Sequence, residues 1–265
     1  MKRRVVRKSF GWVSRQMATN YMFRIFLLTM LSLWVSSAIA GDAMTRVGYA
    51  YDSNTNQLLY TESHHEKYSG GVLQRSEVIY KDPAEKIFAS KIADFSNSLF
   101  MPEFALENIR TGHEEKTRFI DNKYEVFFSE SKNKTREESQ IIYEDNAISD
   151  AGFDNFIIEH WAQIIEGKKF KRDFLVPSMQ DFLSFRIYQD AIVNREGQSL
   201  RLINIEPDSF FVRVIAGTLK LYYDSEKPAL RIFEGVSNMR DSKGDNYNVL
   251  IKYVDVKSQI LSVNE

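Results

Sequence analysis

Residues 219–254 read LKLYYDSEKPALRIFEGVSNMRDSKGDNYNVLIKYV. Apolar side chains alternate with other residues in three runs of this stretch, at 219–223, 230–235 and 247–254. Successive side chains of a strand point to opposite faces, so each run predicts a β-strand that buries one face. The stretch therefore predicts consecutive antiparallel strands that complete a β-rich domain.

The sequence before this stretch predicts more strands of the same kind. Asp52 to Asn56 is a turn-rich cluster that indicates a hairpin, and Gly70-Gly71 breaks the chain again. The spacing is typical of an antiparallel meander, sandwich or barrel. The predicted strands lie at 46–51, 57–65, 72–80, 86–95, 103–110, 115–121, 124–129, 170–176, 182–191, 200–206 and 210–216.

One amphipathic helix is predicted at about 151–166. Its apolar residues recur at helical spacing from Phe153 to Ile165, with Asp150 as the expected cap and Gly167 as the expected end. A single helix among antiparallel strands argues against βαβ units. The predicted fold class is mainly β (α+β): a large curved antiparallel sheet or half-barrel packed on one amphipathic helix.

The first 40 residues have the pattern of a cleaved signal peptide. A basic segment precedes an apolar run at 25–34, and the pattern ends in Ala38-Ile39-Ala40. The run is shorter than the roughly 20 residues that span a bilayer, so we expect no membrane span after cleavage. The sequence thus predicts a periplasmic or secreted protein with one β-rich domain at 41–265.

Charge and cysteine content exclude several classes of protein. The net charge of the whole chain is −1, and residues 1–24 carry seven basic residues and no acidic ones. The remaining chain is acidic, which argues against a nucleic-acid partner. The absence of cysteine excludes disulfides, thiolate metal sites and a cysteine nucleophile. No motif for a cofactor is present, and we expect no cofactor.

Glu62, His64 and Glu66 alternate along one predicted strand and therefore share a face. Carboxylates and an imidazole at this spacing can bind a divalent metal ion. The alternative interpretation, which we favour, is a solvated and charged strand face. His160 lies on the apolar stripe of the helix, where we expect one ring nitrogen to bond a backbone carbonyl.

Aromatic residues are frequent around the helix and the strands after it. A curved sheet over an apolar helix encloses either a greasy cavity or an ordinary filled core, and the sequence leaves both open. The candidates for lining such a cavity are Phe153, Phe156, Trp161, Phe174, Phe185 and Tyr223.

Two parts of the chain carry a resemblance of pattern. The segment SDAGFDNF at 149–156, with FLVPS at 174–178, resembles uncharacterised exported proteins of proteobacteria. The ending, with YDSEKP at 223–228, FEG at 233–235 and VLIKY at 249–253, resembles the closing meander of periplasmic lipoprotein-carrier-like proteins. The second resemblance implies an unclosed half-barrel over helices, with an apolar interior that holds acyl chains. It covers about the last 120 residues and implies no functional residue.

Three functional hypotheses follow. The leading one is a non-enzymatic periplasmic protein that binds a hydrophobic ligand, such as a lipid or acyl chain, or an envelope protein. The second is a structural or interaction module with a filled core, which binds through strand edges or the loop at 131–138. The third is a metal-dependent hydrolase that uses Glu62, His64 and Glu66, although no nucleophile motif supports hydrolysis.

Overall fold

A computed structural model describes residues 43–142, 145–210, 213 and 217–256. The predicted signal peptide at 1–40 lies outside these residues. The described residues belong to one compact unit. No helix among the described residues is both long enough and apolar enough to cross a membrane.

The described chain is mainly β, as predicted. Its strands are β1 Ala43–Asp52, β2 Leu58–Ser69, β3 Val72–Lys81, β4 Ile87–Asp94, β5 Glu103–Asn108, β6 His113–Ile120, β7 Lys123–Ser129, β8 Glu137–Ile142, β9 Ala147–Ile148, β10 Phe170–Val176, β11 Asp181–Arg195, β12 Gln198–Pro207, β13 Leu219–Asp224, β14 Leu230–Arg240 and β15 Asn246–Asp255. The helices are α1 Phe153–Glu159 and α2 Trp161–Ile165, and a 3₁₀ turn lies at Pro177–Met179.

The strands join into one open, curved sheet in the order β8-β7-β6-β5-β4-β3-β2-β1-β15-β14-β13-β12-β11-β10-β9. Two meanders therefore meet in its middle, where β1 pairs antiparallel with β15. The predicted fold class, a large curved antiparallel sheet, is confirmed. One pair departs from the pattern, because the short β9 runs parallel to β10.

Side-chain packing links the two ends of the sheet. Val126 of β7, Ala147 of β9 and Leu175 of β10 belong to one buried cluster. Met101 and Tyr124 belong to the same cluster, and the Tyr124 hydroxyl donates a hydrogen bond to the Met101 carbonyl oxygen. The sheet is therefore open in its hydrogen bonding, while apolar contacts bring its ends together.

The helices cover the inner face of the second meander, which consists of strands β10 to β15. Phe156, Ile157 and Ile164 are fully buried, and they pack with Ile203 and Leu221 of the sheet in the largest core cluster. The apolar stripe predicted from the sequence is thus the face that the helices bury. Each fully buried side chain of this size contributes about 1.5–3 kcal/mol relative to an exposed one.

The helix differs from the prediction in two ways. It is interrupted at His160, whose φ of −101° and ψ of 15° lie outside the helical region. His160 Nδ1 approaches the Phe156 carbonyl oxygen to 2.9 Å, and the backbone N–H of His160 bonds the same oxygen. The Phe156 carbonyl oxygen thus accepts both a backbone and a side-chain hydrogen bond where the helix is interrupted. Asp150 does not cap the helix, because Gly152 occupies the cap position.

The prediction of a strand at 210–216 is also wrong. Only Phe210 and Arg213 of this segment are described. The backbone N–H of Arg213 donates to Ser209 O, and that of Gly217 donates to Arg213 O. This spacing of four residues is helical. The Arg213 side chain bonds the carbonyl oxygen of Pro207 and so ties the turn to the end of β12.

Candidate functional site

A cavity of about 150 Å³ lies between helix α1 and the sheet. Its walls come from the centre of the sheet, on strands β1 to β4 and β13 to β15, and from residues 150–154. The polar side chains that line it include Arg46, Glu62, His64, Lys91, Asp150 and Asp154. The apolar and aromatic ones include Tyr80, Phe95, Phe153, Phe233, Ile251 and Tyr253.

Gly48 allows side chains from two strands to meet across β1. It pairs with Glu62 of β2 on one side and with Tyr253 of β15 on the other. The Tyr253 hydroxyl donates a 3.1 Å hydrogen bond to Glu62 Oε2. A Cβ at position 48 would lie 2.8 Å from Tyr253 Cε1 and 3.1 Å from that oxygen, so a side chain there would separate the pair.

Glu62 and His64 form a buried pair on the inner face of β2. Their exposed fractions are 6% and 7%, and His64 Nε2 lies 3.1 Å from Glu62 Oε2. The interpretation of this strand face as solvated is therefore wrong for both residues, because β2 turns the face towards the helix. Burial lowers the pKa of His64, and the charge of Arg46 lowers it further, against the opposing effect of Glu62.

Glu66 is separate from this pair. Its carboxylate accepts a 2.8 Å hydrogen bond from the Tyr68 hydroxyl in an exposed position. Glu62, His64 and Glu66 therefore do not converge on one point, although they share a strand face. Within the described residues, no group of three or more His, Asp or Glu side chains is placed to hold a metal ion.

Arg46 and Asp154 form an ion pair between β1 and helix α1. Arg46 Nη2 lies 3.4 Å from Asp154 Oδ2, and the Tyr223 hydroxyl donates a 2.6 Å hydrogen bond to Asp154 Oδ1. Burial opposes the charge of Arg46, but Asp154 and Tyr253 more than offset it, and the pKa is raised. Burial and the neighbouring carboxylate hold the pKa of Tyr223 well above its ordinary value. The guanidinium also lies 4.9 Å from the centre of the Tyr253 ring.

A second ion pair joins Lys91 of β4 to Asp150. Lys91 Nζ lies 2.7 Å from Asp150 Oδ2, and the side-chain amide of Asn238 donates to the same oxygen at 3.0 Å. Asp150 thus contacts the sheet instead of the helix end. Burial lowers the pKa of Lys91, but the attraction of Asp150 outweighs it and the pKa is raised.

The aromatic residues proposed to line a cavity occupy different places. Phe153 lines the cavity described above. Phe156, Phe174 and Tyr223 are buried in the largest core cluster, and Trp161 and Phe185 pack against that cluster. His160 bonds a backbone carbonyl, as predicted, and stacks on Phe156 with ring centres 4.2 Å apart.

Sequence patterns did not single out Arg46 and Lys91. Arg46 lies on the same face of β1 as the small buried residues Gly48 and Ala50. Lys91 lies on the same face of β4 as the small buried residues Ala89 and Ala93. Lys and Arg are seldom buried unless they are paired. A cation that alternates along a strand with small inward-facing residues therefore indicates a charged interior.

The chain is a mainly β protein with one large open, curved sheet and a partly polar cavity beside the centre of that sheet. No protein-family model and no curated protein sequence matches the chain. Among solved structures it is similar to the crystal structure of a beta-barrel-like protein of domain of unknown function DUF1849 from Brucella abortus. The identity is 9%, the match covers 82% of this chain and 97% of that one, and the TM-score is 0.45.

Gly48→Ala should destabilise the protein by about 1–3 kcal/mol, because the added methyl group overpacks the contact between Glu62 and Tyr253. In the wild type, Tyr253→Phe should also destabilise, since Glu62 loses a donor. In the Gly48→Ala background the same change should have little further effect. A double-mutant cycle by urea unfolding measures this, and strictly additive losses would contradict the account.

Stability should fall as the pH drops below about 6.5, the ordinary pKa of histidine. The folded pKa of His64 is lower, so the unfolded chain binds a proton that the folded chain resists. His64→Gln should flatten this dependence, measured as the free energy of unfolding in urea at about pH 7.5 and pH 5.5. His65→Gln, on the other face of β2, is the control. An unchanged slope in His64→Gln would refute the assignment.

Proposed function

We propose that this protein is exported to the periplasm and binds a small, largely apolar molecule in the cavity between helix α1 and the sheet, without catalysis. The basic segment, apolar run and Ala38-Ile39-Ala40 ending support export. The observation that carries the binding proposal is the cavity itself, whose walls combine aromatic and aliphatic side chains with charged and polar groups held by their neighbours. Small-molecule sites use apolar walls to bury the ligand and polar groups to fix its orientation.

The size of the cavity restricts the ligand. Cavities of about 150 Å³ admit a molecule the size of benzene. We therefore propose a ring-sized or short-chain ligand in place of the long acyl chains that the resemblance to lipoprotein carriers implies. The titratable side chains at the cavity are engaged by neighbours within the protein, with Arg46 held by Asp154 and Lys91 by Asp150. Because these side chains are already paired, the arrangement supports a role in binding a ligand instead of in transferring a proton to or from it.

A second candidate is an interaction module of the cell envelope. Among the described strands, β8 lies at one end of the sheet and pairs only with β7. Ile142 at its end is 68% exposed. An unpaired strand edge is able to accept an extended segment of a partner protein. The interaction module becomes the preferred function if the cavity binds no small molecule.

Benzyl alcohol, which matches the cavity in size, should raise the melting temperature of the wild-type protein. At ten times the dissociation constant, the expected stabilisation is about 1.4 kcal/mol. Ala93→Leu should abolish the shift, because Ala93 is buried at the cavity wall and a larger side chain there fills the space. Thr55→Leu, in the exposed turn between β1 and β2, should keep it.

Ser76→Leu, also at the cavity wall, serves as a second filling variant if Ala93→Leu does not fold. No shift in the wild type, or an equal shift in a folded filling variant, would refute binding in this cavity.

A further inference from the structure

The cavity carries unequal numbers of positive and negative side chains. Its carboxylates are Glu62, Asp150 and Asp154, while Arg46 and Lys91 are its cations. Two of the carboxylates are matched, Asp154 by Arg46 at 3.4 Å and Asp150 by Lys91 at 2.7 Å. The unmatched negative charge therefore belongs to Glu62.

Glu62 is surrounded by donors that carry no net charge. Its Oε2 atom receives the Tyr253 hydroxyl and lies 3.1 Å from His64 Nε2. Burial and Arg46 lower the pKa of His64, which disfavours a positive charge on this imidazole. A carboxylate that is 6% exposed and has no cation in direct contact, with only the charge of Lys91 acting on it at longer range, is costly in a protein interior. A positive charge placed beside it relieves that cost.

The walls of the cavity suit the same kind of ligand. Aromatic ring faces attract cations, with the largest effect where the cation has lost its water. Tyr80, Phe153, Phe233 and Tyr253 all contribute to these walls. Arg46 shows that one of these rings already accommodates a cation, since its guanidinium lies 4.9 Å from the Tyr253 ring centre.

We infer that the cavity recognises a small organic ammonium ion, whose charge lies beside Glu62 and whose ring-sized apolar part contacts the aromatic walls. The inference rests on the proposed function and adds the charge of the ligand. It excludes carboxylates and phosphates as ligands of this cavity, because they would add to the unmatched negative charge.

Three compounds of nearly equal size test the charge preference: benzylammonium, benzyl alcohol and benzoate. Titration calorimetry of the wild-type protein at neutral pH should show benzylammonium binding at least tenfold more tightly than benzyl alcohol, with benzoate weakest. Equal or tighter binding of the alcohol or of benzoate overturns the inference and leaves the proposed function standing. Absence of binding by all three overturns both.

The variant Glu62→Gln tests whether the preference for a positively charged ligand depends on Glu62. It should weaken benzylammonium at least tenfold and change benzyl alcohol less than twofold, because the amide keeps the size and an acceptor but loses the charge. Glu196→Gln, which removes a carboxylate paired with Lys252 on the exposed surface, should alter neither affinity. Unchanged benzylammonium binding in folded Glu62→Gln overturns the role of Glu62. The wild-type series decides the charge preference even where Glu62→Gln does not fold.

Discussion

The antiparallel pairing of β1 with β15 holds the two halves of the sheet together. It joins Arg46–Asp52 to Val249–Asp255 and turns two meanders into one sheet. About 200 residues lie between the paired segments, so the chain loses considerable entropy before this contact forms. The same pairing brings Tyr253 of β15 within reach of Glu62 on β2, with Gly48 of β1 between them. The candidate site exists only when both halves have joined.

The interior combines two kinds of packing with different consequences. Around Phe156, Ile203 and Leu221 it is a filled apolar core that supplies stability. Beside β1 it contains ion pairs and a buried carboxylate, which add little net stability after desolvation. Such groups instead fix the position and sign of charge around a cavity. The charged side chains of the cavity come from β1, β2, β4 and residues 150–154, which places the site near the centre of the sheet.

Local periodicity predicted much of the fold. Alternation located most strands, because burial of one sheet face leaves a period of two in the sequence, and the stripe from Phe153 to Ile165 located the helices. Alternation failed at 210–216, where side-chain bonds of Arg213 support a helical turn. The sequence singled out Glu62 and His64 but placed them in solvent. Their partners come from strands that are distant in sequence, and sheet order cannot be read from local spacing.

The cavity between helix α1 and strands β1, β2 and β15 is proposed to be a ligand site. Nuclear Overhauser effects between benzyl alcohol and methyl-labelled protein test it most directly. Contacts from the ring protons to the methyl groups of Val78, Leu230 and Ile251 are expected, because these residues line the cavity. Contacts confined to Ile187 and Ile205 of the filled core, or to the exposed Ile142, would contradict it.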